Sequence, residues 1–338
     1  MDNPAVRDRL DAALARVGAT PTELLAQGGS VLSAGAGYLV GSLAQGLGNA
    51  ASDIDIHIFL PELARPSPPY LFFLGTTPVD VEHYPAGDPA RMLGSLATVV
   101  APTPLGDVAH VAVLSRAART CLTRWCTAMP LRPEYPPIFD EPARALITAH
   151  LLRSALSRTM HAWATAALVA EADLDFEYAL RQCGKAILDM AVVAAGVLPA
   201  GDKWLPARMR LADLPAELID AVTAVRTSED IASIVDGLGL VVPDPLAVTR
   251  LGRDPDAPEV RIGRKVFVLT RFGQLHPRPP TLDGVDGQSA PSGSCRDLLA
   301  ERPATELVAL VAAGVLRLDL DEDALSTALE RHHGGRAI

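Results

Sequence analysis

Between residues 53 and 60 the chain reads Asp-Ile-Asp-Ile-His-Ile-Phe-Leu, polar at 53, 55 and 57 and apolar at 54, 56 and 58. Strict alternation is the signature of a strand with one face on a core. Asp53 and Asp55 therefore leave the same face, about 7 Å apart along the chain. Carboxylates held that close repel one another unless a cation compensates them, so this face is expected to meet something other than a hydrophobic core. The proline-rich stretch 61–69 follows. Tyr70–Leu74, a Gly75-Thr76-Thr77-Pro78 turn and Val79–Tyr84 then read as a hairpin, whose second arm alternates and carries Asp80 and Glu82 on one face.

The remaining pattern divides the chain into three. Apolar positions over 5–27 fit two short helices, the second opened by Thr20-Pro21-Thr22-Glu23. A small apolar strand over 31–40 ends in Gly41-Ser42, with a helical turn expected over 43–49. Residues 85–139 are ambiguous, partly helical around 90–96 and 114–128, and the prolines from 130 to 137 mark a boundary. Long Ala/Leu-rich patterns at 141–171 and 175–197, continued through 213–236, predict an all-helical second domain over 138–240. Residues 241–258 have a linker's composition. Beyond them a hairpin around Gly263, a Gly/Ser/Pro-rich loop at 283–294 and a helix-loop-helix ending in a short strand near 318 suggest a small winged-helix-like domain within 241–338. The first 137 residues are left as the domain that carries the acids.

Composition removes several classes of function. The formal charge is −10, from 30 Lys+Arg against 40 Asp+Glu, so wholesale coating of nucleic acid is not expected. No apolar stretch approaches the roughly 18–20 residues of a membrane span, and the N-terminus is mixed in charge, which reads as a cytoplasmic protein without a membrane partner. The four cysteines lack the spacing of a zinc site or a disulfide framework. Only three of the basic residues are lysines, Lys185, Lys203 and Lys265. In a chain that supplies charge as arginine, a lysine points to a place that wants a compact ammonium.

Oxygen-only ligands favour Mg²⁺, which keeps waters and is usually shared with substrate phosphates. Asp53, Asp55 and Asp80 suit a site for two such ions in an in-line displacement at phosphorus. Gly41-Ser42 precedes them by ten residues and offers backbone N–H groups and a hydroxyl to phosphate oxygens. In this order, Gly41-Ser42, Asp53-x-Asp55 and the Val79-Asp80-Val81 strand resemble the signature of the DNA polymerase β superfamily of nucleotidyltransferases, in particular the antibiotic nucleotidyltransferases. The resemblance covers about residues 31–84. It implies an α+β fold with a mixed sheet flanked by helices. It also implies transfer of a nucleoside monophosphate from an NTP to an acceptor, with release of pyrophosphate. Gly41 and Ser42 would contact the triphosphate, and Asp53 and Asp55 would ligate the metal. The third acid is not uniquely determined, because Asp80 and Glu82 point the same way; Val79-Asp80-Val81 after a tight turn resembles the family's third-acid strand and favours Asp80, with Glu82 a candidate base one step further along. His57 and His83 are read as hydrogen-bond partners or surface residues. One position departs from the pattern: Gln45 stands where these enzymes often carry arginine.

On the helix at 175–197, Tyr178, Arg181, Lys185 and Asp189 recur every three or four residues as a polar stripe opposite Ile187, Leu188, Ala191 and Val192. The Gly201-Asp202-Lys203-Trp204 segment that follows is similar to one in small-molecule nucleotidyltransferases. By that resemblance Lys185 would bind the triphosphate, with Lys203 a weaker second and Tyr178 and Arg181 beside it, so that the helical domain completes the nucleotide cleft. The acceptor is expected to be a hydroxyl of a small molecule, with a peptide or tRNA end also open. The alternative, from another class, is a catalytically weakened fold of this kind that senses nucleotide or binds peptide or nucleic acid as a regulator. The intact acids favour the enzyme, and Gln45 the regulator.

Overall fold

The hairpin pattern determines how the first sheet is wired. In a computed structural model the described residues are 4–96, 111, 113–174, 177–238, 244–253, 258–262, 265–269, 274–278 and 294–333. The first stretch gives α1 (Pro4–Ala15), α2 (Pro21–Ser33), β1 (Ala36–Val40), the single turn α3 (Gly41–Ala44), β2 (Ile54–Leu60), β3 (Tyr70–Leu74), β4 (Thr77–Pro85), α4 (Asp88–Gly94), α5 (Arg116–Cys126) and β5 (Met129–Pro130). After it come α6 (Glu141–Glu171), α7 (Glu177–Ala194), α8 (Leu205–Leu211), α9 (Ala216–Thr223), α10 (Ser228–Gly237) and β6 (Thr249–Arg253). The chain then forms β7 (Glu259–Ile262), β8 (Lys265–Leu269), β9 (Leu275–Pro277), α11 (Cys295–Glu301), α12 (Ala304–Ala312), β10 (Leu316–Leu320) and α13 (Glu322–His333). The fold is α+β with a mixed sheet.

The described residues form two compact units, one of those within 4–96, 111–152 and 195–213, the other of those within 153–194 and 214–333. In the first, the strand order is β3-β4-β2-β1-β5. The chain leaves β2, runs to the sheet edge as β3 and turns back through Gly75, so β4 enters beside β2 and parallel to it, while β1 pairs β2 antiparallel. Ile54, Ile56 and Ile58 of β2 and Val79 and Val81 of β4 are fully buried against Leu10, Leu14, Leu24 and Leu32 of α1 and α2. This core occupies one face of the sheet and leaves the acids on the other. Thr20 caps α2 as its sequence predicts, its side chain accepting from Glu23 N while Glu23 bonds back to Thr20 N, with Pro21 in the first turn.

In the second unit α7 packs against α9 and α10. Gly184 allows that approach, since a Cβ there would come 2.9 Å from Val222 Cγ1. A separate cluster joins Ala164 and Leu168 of α6 to Leu251, Val268, Leu307, Leu310, Leu316 and Leu318. Strand β10 pairs β6 antiparallel, and β7, β8 and β9 form a small antiparallel sheet.

Several boundaries differ from the sequence reading. Residues 31–33 finish α2, so the strand leading to Gly41 begins only at Ala36. The helical turn starts at Gly41 rather than Leu43. The presumed linker contains β6, because Leu251 is needed to cover the C-terminal cluster. Strand β5 and helix α13 have no counterpart in that reading. The hairpin at 259–269 forms as its alternation predicts, whereas Gly263 itself and the loop at 283–294, except its last residue, lie outside the described residues. Among the described residues no helix is long and apolar enough to cross a membrane.

Candidate active site

Parallel pairing places Asp55 opposite Asp80 and His57 opposite Glu82, so two alternating strands build one polar face. Asp53 lies immediately before β2 and is exposed, whereas Asp55 is part-buried. The Asp55 carboxyl is pushed above the usual carboxylate range, chiefly by burial. Arg124 and His57 work against that rise, and the negative charges of Asp80 and Asp53 add to it. Asp55 thus senses the charges of the other two aspartates.

Gly41 fixes the other side of Asp55. It stands at the β1–α3 junction with φ +73°, and a Cβ there would fall 2.3 Å from Asp55 Oδ2. Only glycine meets both requirements without strain. Ser42 follows, its carbonyl accepting from Leu47 N at 2.9 Å and Gly48 N at 3.0 Å. Arg16, from the turn after α1, braces the same loop by donating to the carbonyls of Gly46 and Gly48. Gln45 donates its side-chain amide to the carbonyl of Pro199 at 3.3 Å, tying the loop to the segment that contains Lys203.

A second layer of contacts arrives from α5, which opens on a Ser115 side-chain cap to Ala118 N. Trp125 donates its indole N–H to His57 Nδ1 at 2.9 Å, and both side chains are buried. An indole N–H can only donate, so Nδ1 is the acceptor and the ring proton is assigned to Nε2. That N–H faces Glu82 Oε1 at 3.7 Å. Arg124 donates to the same oxygen at 3.1 Å and lies 3.5 Å from Asp55 Oδ1, and the Tyr84 hydroxyl donates to Glu82 Oε2. His57, then Tyr84 and Arg124, outweigh partial burial and hold the Glu82 carboxyl down at about 2. Glu82 is consequently a firm anion and a poor proton acceptor.

The remaining candidates divide between the units. Lys203 is in the first unit, exposed in a single turn at Asp202–Trp204 with its ammonium 5.4 Å from the Trp204 ring centroid. Tyr178, Arg181 and Lys185 are on α7 in the second. Tyr178 is exposed, Arg181 forms a surface pair with Glu177 at 2.7 Å, and Asp189 pairs with Arg158 of α6 at 2.6 Å. The structure therefore unites Gly41, Ser42, Asp55, Asp80 and Glu82, with Asp53 adjacent, and keeps the Lys185 stripe on a different body. Arg16, Tyr84, Arg124 and Trp125 are additions that the sequence reading lacked. Strand period alone puts Tyr84 on the face of Glu82, but no local signal identifies Arg16, Arg124 or Trp125, whose partners lie 30 or more residues away.

Among the described residues no group of three or more His, Cys, Asp and Glu side chains converges as a ready-made metal cage. No protein-family model matches the chain, and no curated protein matches it.

Proposed function

We propose that the chain is a Mg²⁺-dependent nucleotidyltransferase with a polymerase-β-like catalytic sheet. It would move a nucleoside monophosphate from an NTP to a hydroxyl of a small-molecule acceptor. The observation that carries this reading is the parallel β2–β4 pairing, which sets Asp55 beside Asp80 directly against the Gly41-Ser42 loop. The donors suit the ion. They are carboxylate oxygens only, and Asp55 is raised by burial and by acid neighbours, as expected of a group short of positive charge. Asp53, Asp55 and Asp80 would hold Mg²⁺, and a site that shares its ion with phosphates needs no complete protein cage. When bound, the metal supplies charge compensation to the phosphate oxygens.

The chain's own groups do the rest. The Gly41-Ser42 loop, braced by Arg16, would hold the triphosphate through backbone N–H groups and the Ser42 hydroxyl. In the transfer a bond forms between the acceptor oxygen and the α-phosphorus, the bond to the β-phosphate oxygen breaks, and pyrophosphate leaves. Asp80 suits the proton of the acceptor hydroxyl better than Glu82, whose carboxylate is occupied by Tyr84, His57 and Arg124. Lys203 suits the leaving phosphates, because its segment is tied to the loop through Gln45. NTP supply and the cysteines, three of them buried and none in a disulfide, agree with a cytoplasmic setting.

One contact favours the second reading, a nucleotide-sensing regulator: the Arg124 guanidinium already lies against Asp55. The test is incubation with each labelled NTP and Mg²⁺, with pyrophosphate and nucleotidylated products followed by mass spectrometry. Release of pyrophosphate that Asp53→Asn and Asp55→Asn each reduce by several orders of magnitude is the expected result. NTP binding without pyrophosphate would favour the regulator, and turnover unchanged in either variant would remove the site.

A further inference from the structure

The first unit contains a cavity of about 720 Å³ that none of Asp53, Asp55, Asp80 or Glu82 lines. Its floor includes Leu10, Met129 and Leu131, which belong to the core packed on the opposite face of the sheet from the acids. Its polar lining is dominated by Arg7, Arg9, Arg132 and Arg144, against Asp11 and Glu134. Among the described residues, no hydrogen bond or ion pair joins any of these four arginine side chains to an acid, and the buried Nε of Arg144 has no hydrogen-bond partner. In a chain with a formal charge of −10, the cavity's charged lining is four arginines against two acids, with Arg7 and Arg9 exposed and Arg132 and Arg144 part-buried.

The volume lies within the range of pockets that enclose small organic ligands. Guanidinium groups are weakly hydrated, always charged and shaped to grip carboxylate or phosphate oxygens in pairs. The apolar floor between them would be filled by a flat or aliphatic body rather than by a bare inorganic ion. We propose that this cavity is a second ligand site, separate from the acids, for a small organic anion that joins a carboxylate or phosphate to an apolar body. Arg9 and Arg132 would clamp the acid group from the α1 and β5 sides, and Met129 and Leu131 would cover the body.

The experiment uses the full chain and 1-anilinonaphthalene-8-sulfonate, a fluorescent anion on an apolar body, with uncharged N-phenyl-1-naphthylamine as its control. The anionic dye should saturate a single site. Arg9→Ser and Arg132→Ser should each weaken it by about 10-fold or more, as loss of a charge-assisted contact implies, while the neutral dye is unaffected. Both arginines bond to no acid among the described residues, so these variants are expected to melt like the parent, which circular dichroism checks. Displacement by 1-naphthyl phosphate or by 1-naphthoate tells which acid group the site prefers, and displacement by either supports it. Dye affinity within twofold of the parent in both serine variants, or binding without saturation, overturns the proposal.

Discussion

Trp125 and His57 form a buried hydrogen-bonded pair, indole Nε1 to imidazole Nδ1 at 2.9 Å, that joins α5 to the strand bearing Asp55. Replacing Trp125 by Phe would leave the Nδ1 lone pair buried without its donor. The expected cost is about 1–3 kcal/mol, with a further loss from the smaller ring. Urea unfolding of Trp125→Phe measures it. Nitrogen chemical shifts of His57 should show the proton on Nε2 in the parent and a mixture of tautomers in the variant. A parent ring protonated on Nδ1 would contradict the assignment.

Gly41 and Gly75 both adopt positive φ, at +73° and +61°, but only Gly41 faces a side chain. Gly75→Ala should therefore cost only the left-handed backbone penalty, about 1–2 kcal/mol. Gly41→Ala adds an overlap with Asp55 Oδ2 and should lose more stability and, on the proposed function, nearly all transfer. Equal unfolding midpoints for the two variants would show that the Gly41–Asp55 approach is not required.

Asp55 carries a carboxyl raised mainly by burial, so its ionised form opposes folding at neutral pH. Asp55→Asn removes that charge without changing shape. It should raise stability at pH 7 and, on the proposed function, abolish transfer. Calorimetry beside a pyrophosphate assay tests both halves. A less stable, inactive Asn variant would mean that Asp55 is held chiefly by its contact with Arg124.

Glu82 is shifted the other way. Its folded carboxyl is held near 2, below the ordinary 4.5, so it contributes stability above pH 4.5 that is lost as pH falls from there toward about 2. The melting temperature of Glu82→Gln should therefore fall less steeply than that of the parent across this window. Parallel melting curves over pH 2–7 provide the comparison, and identical slopes would show that the carboxylate is not held down.

The strands that carry the acids were legible because alternation is a local property. The sequence 53–60 allows one face to be buried only if the isoleucines go inward, and the 70–84 hairpin is specified by its own turn. The capped start of α2 was readable for the same reason, since Thr20 and Glu23 are three residues apart. Strand β6 was not readable, because the prolines and aspartates around it have a loop's composition and its pairing partner, β10, lies more than sixty residues away.

Which residues surround the acids is a different kind of fact. The sequence by itself determined that Asp53 and Asp55 share a face and that Asp80 and Glu82 share another, through the period of the strand. It left open which of the latter pair stands beside Asp55. Tertiary structure alone decided that the two faces are one, by inserting β4 beside β2 in parallel register, and that Glu82 is engaged by Tyr84, His57 and Arg124 while Asp80 faces Asp55. Hydrogen bonds of this kind depend on distances between elements far apart in the chain. Residue periodicity encodes only which way a side chain points, not what it meets there.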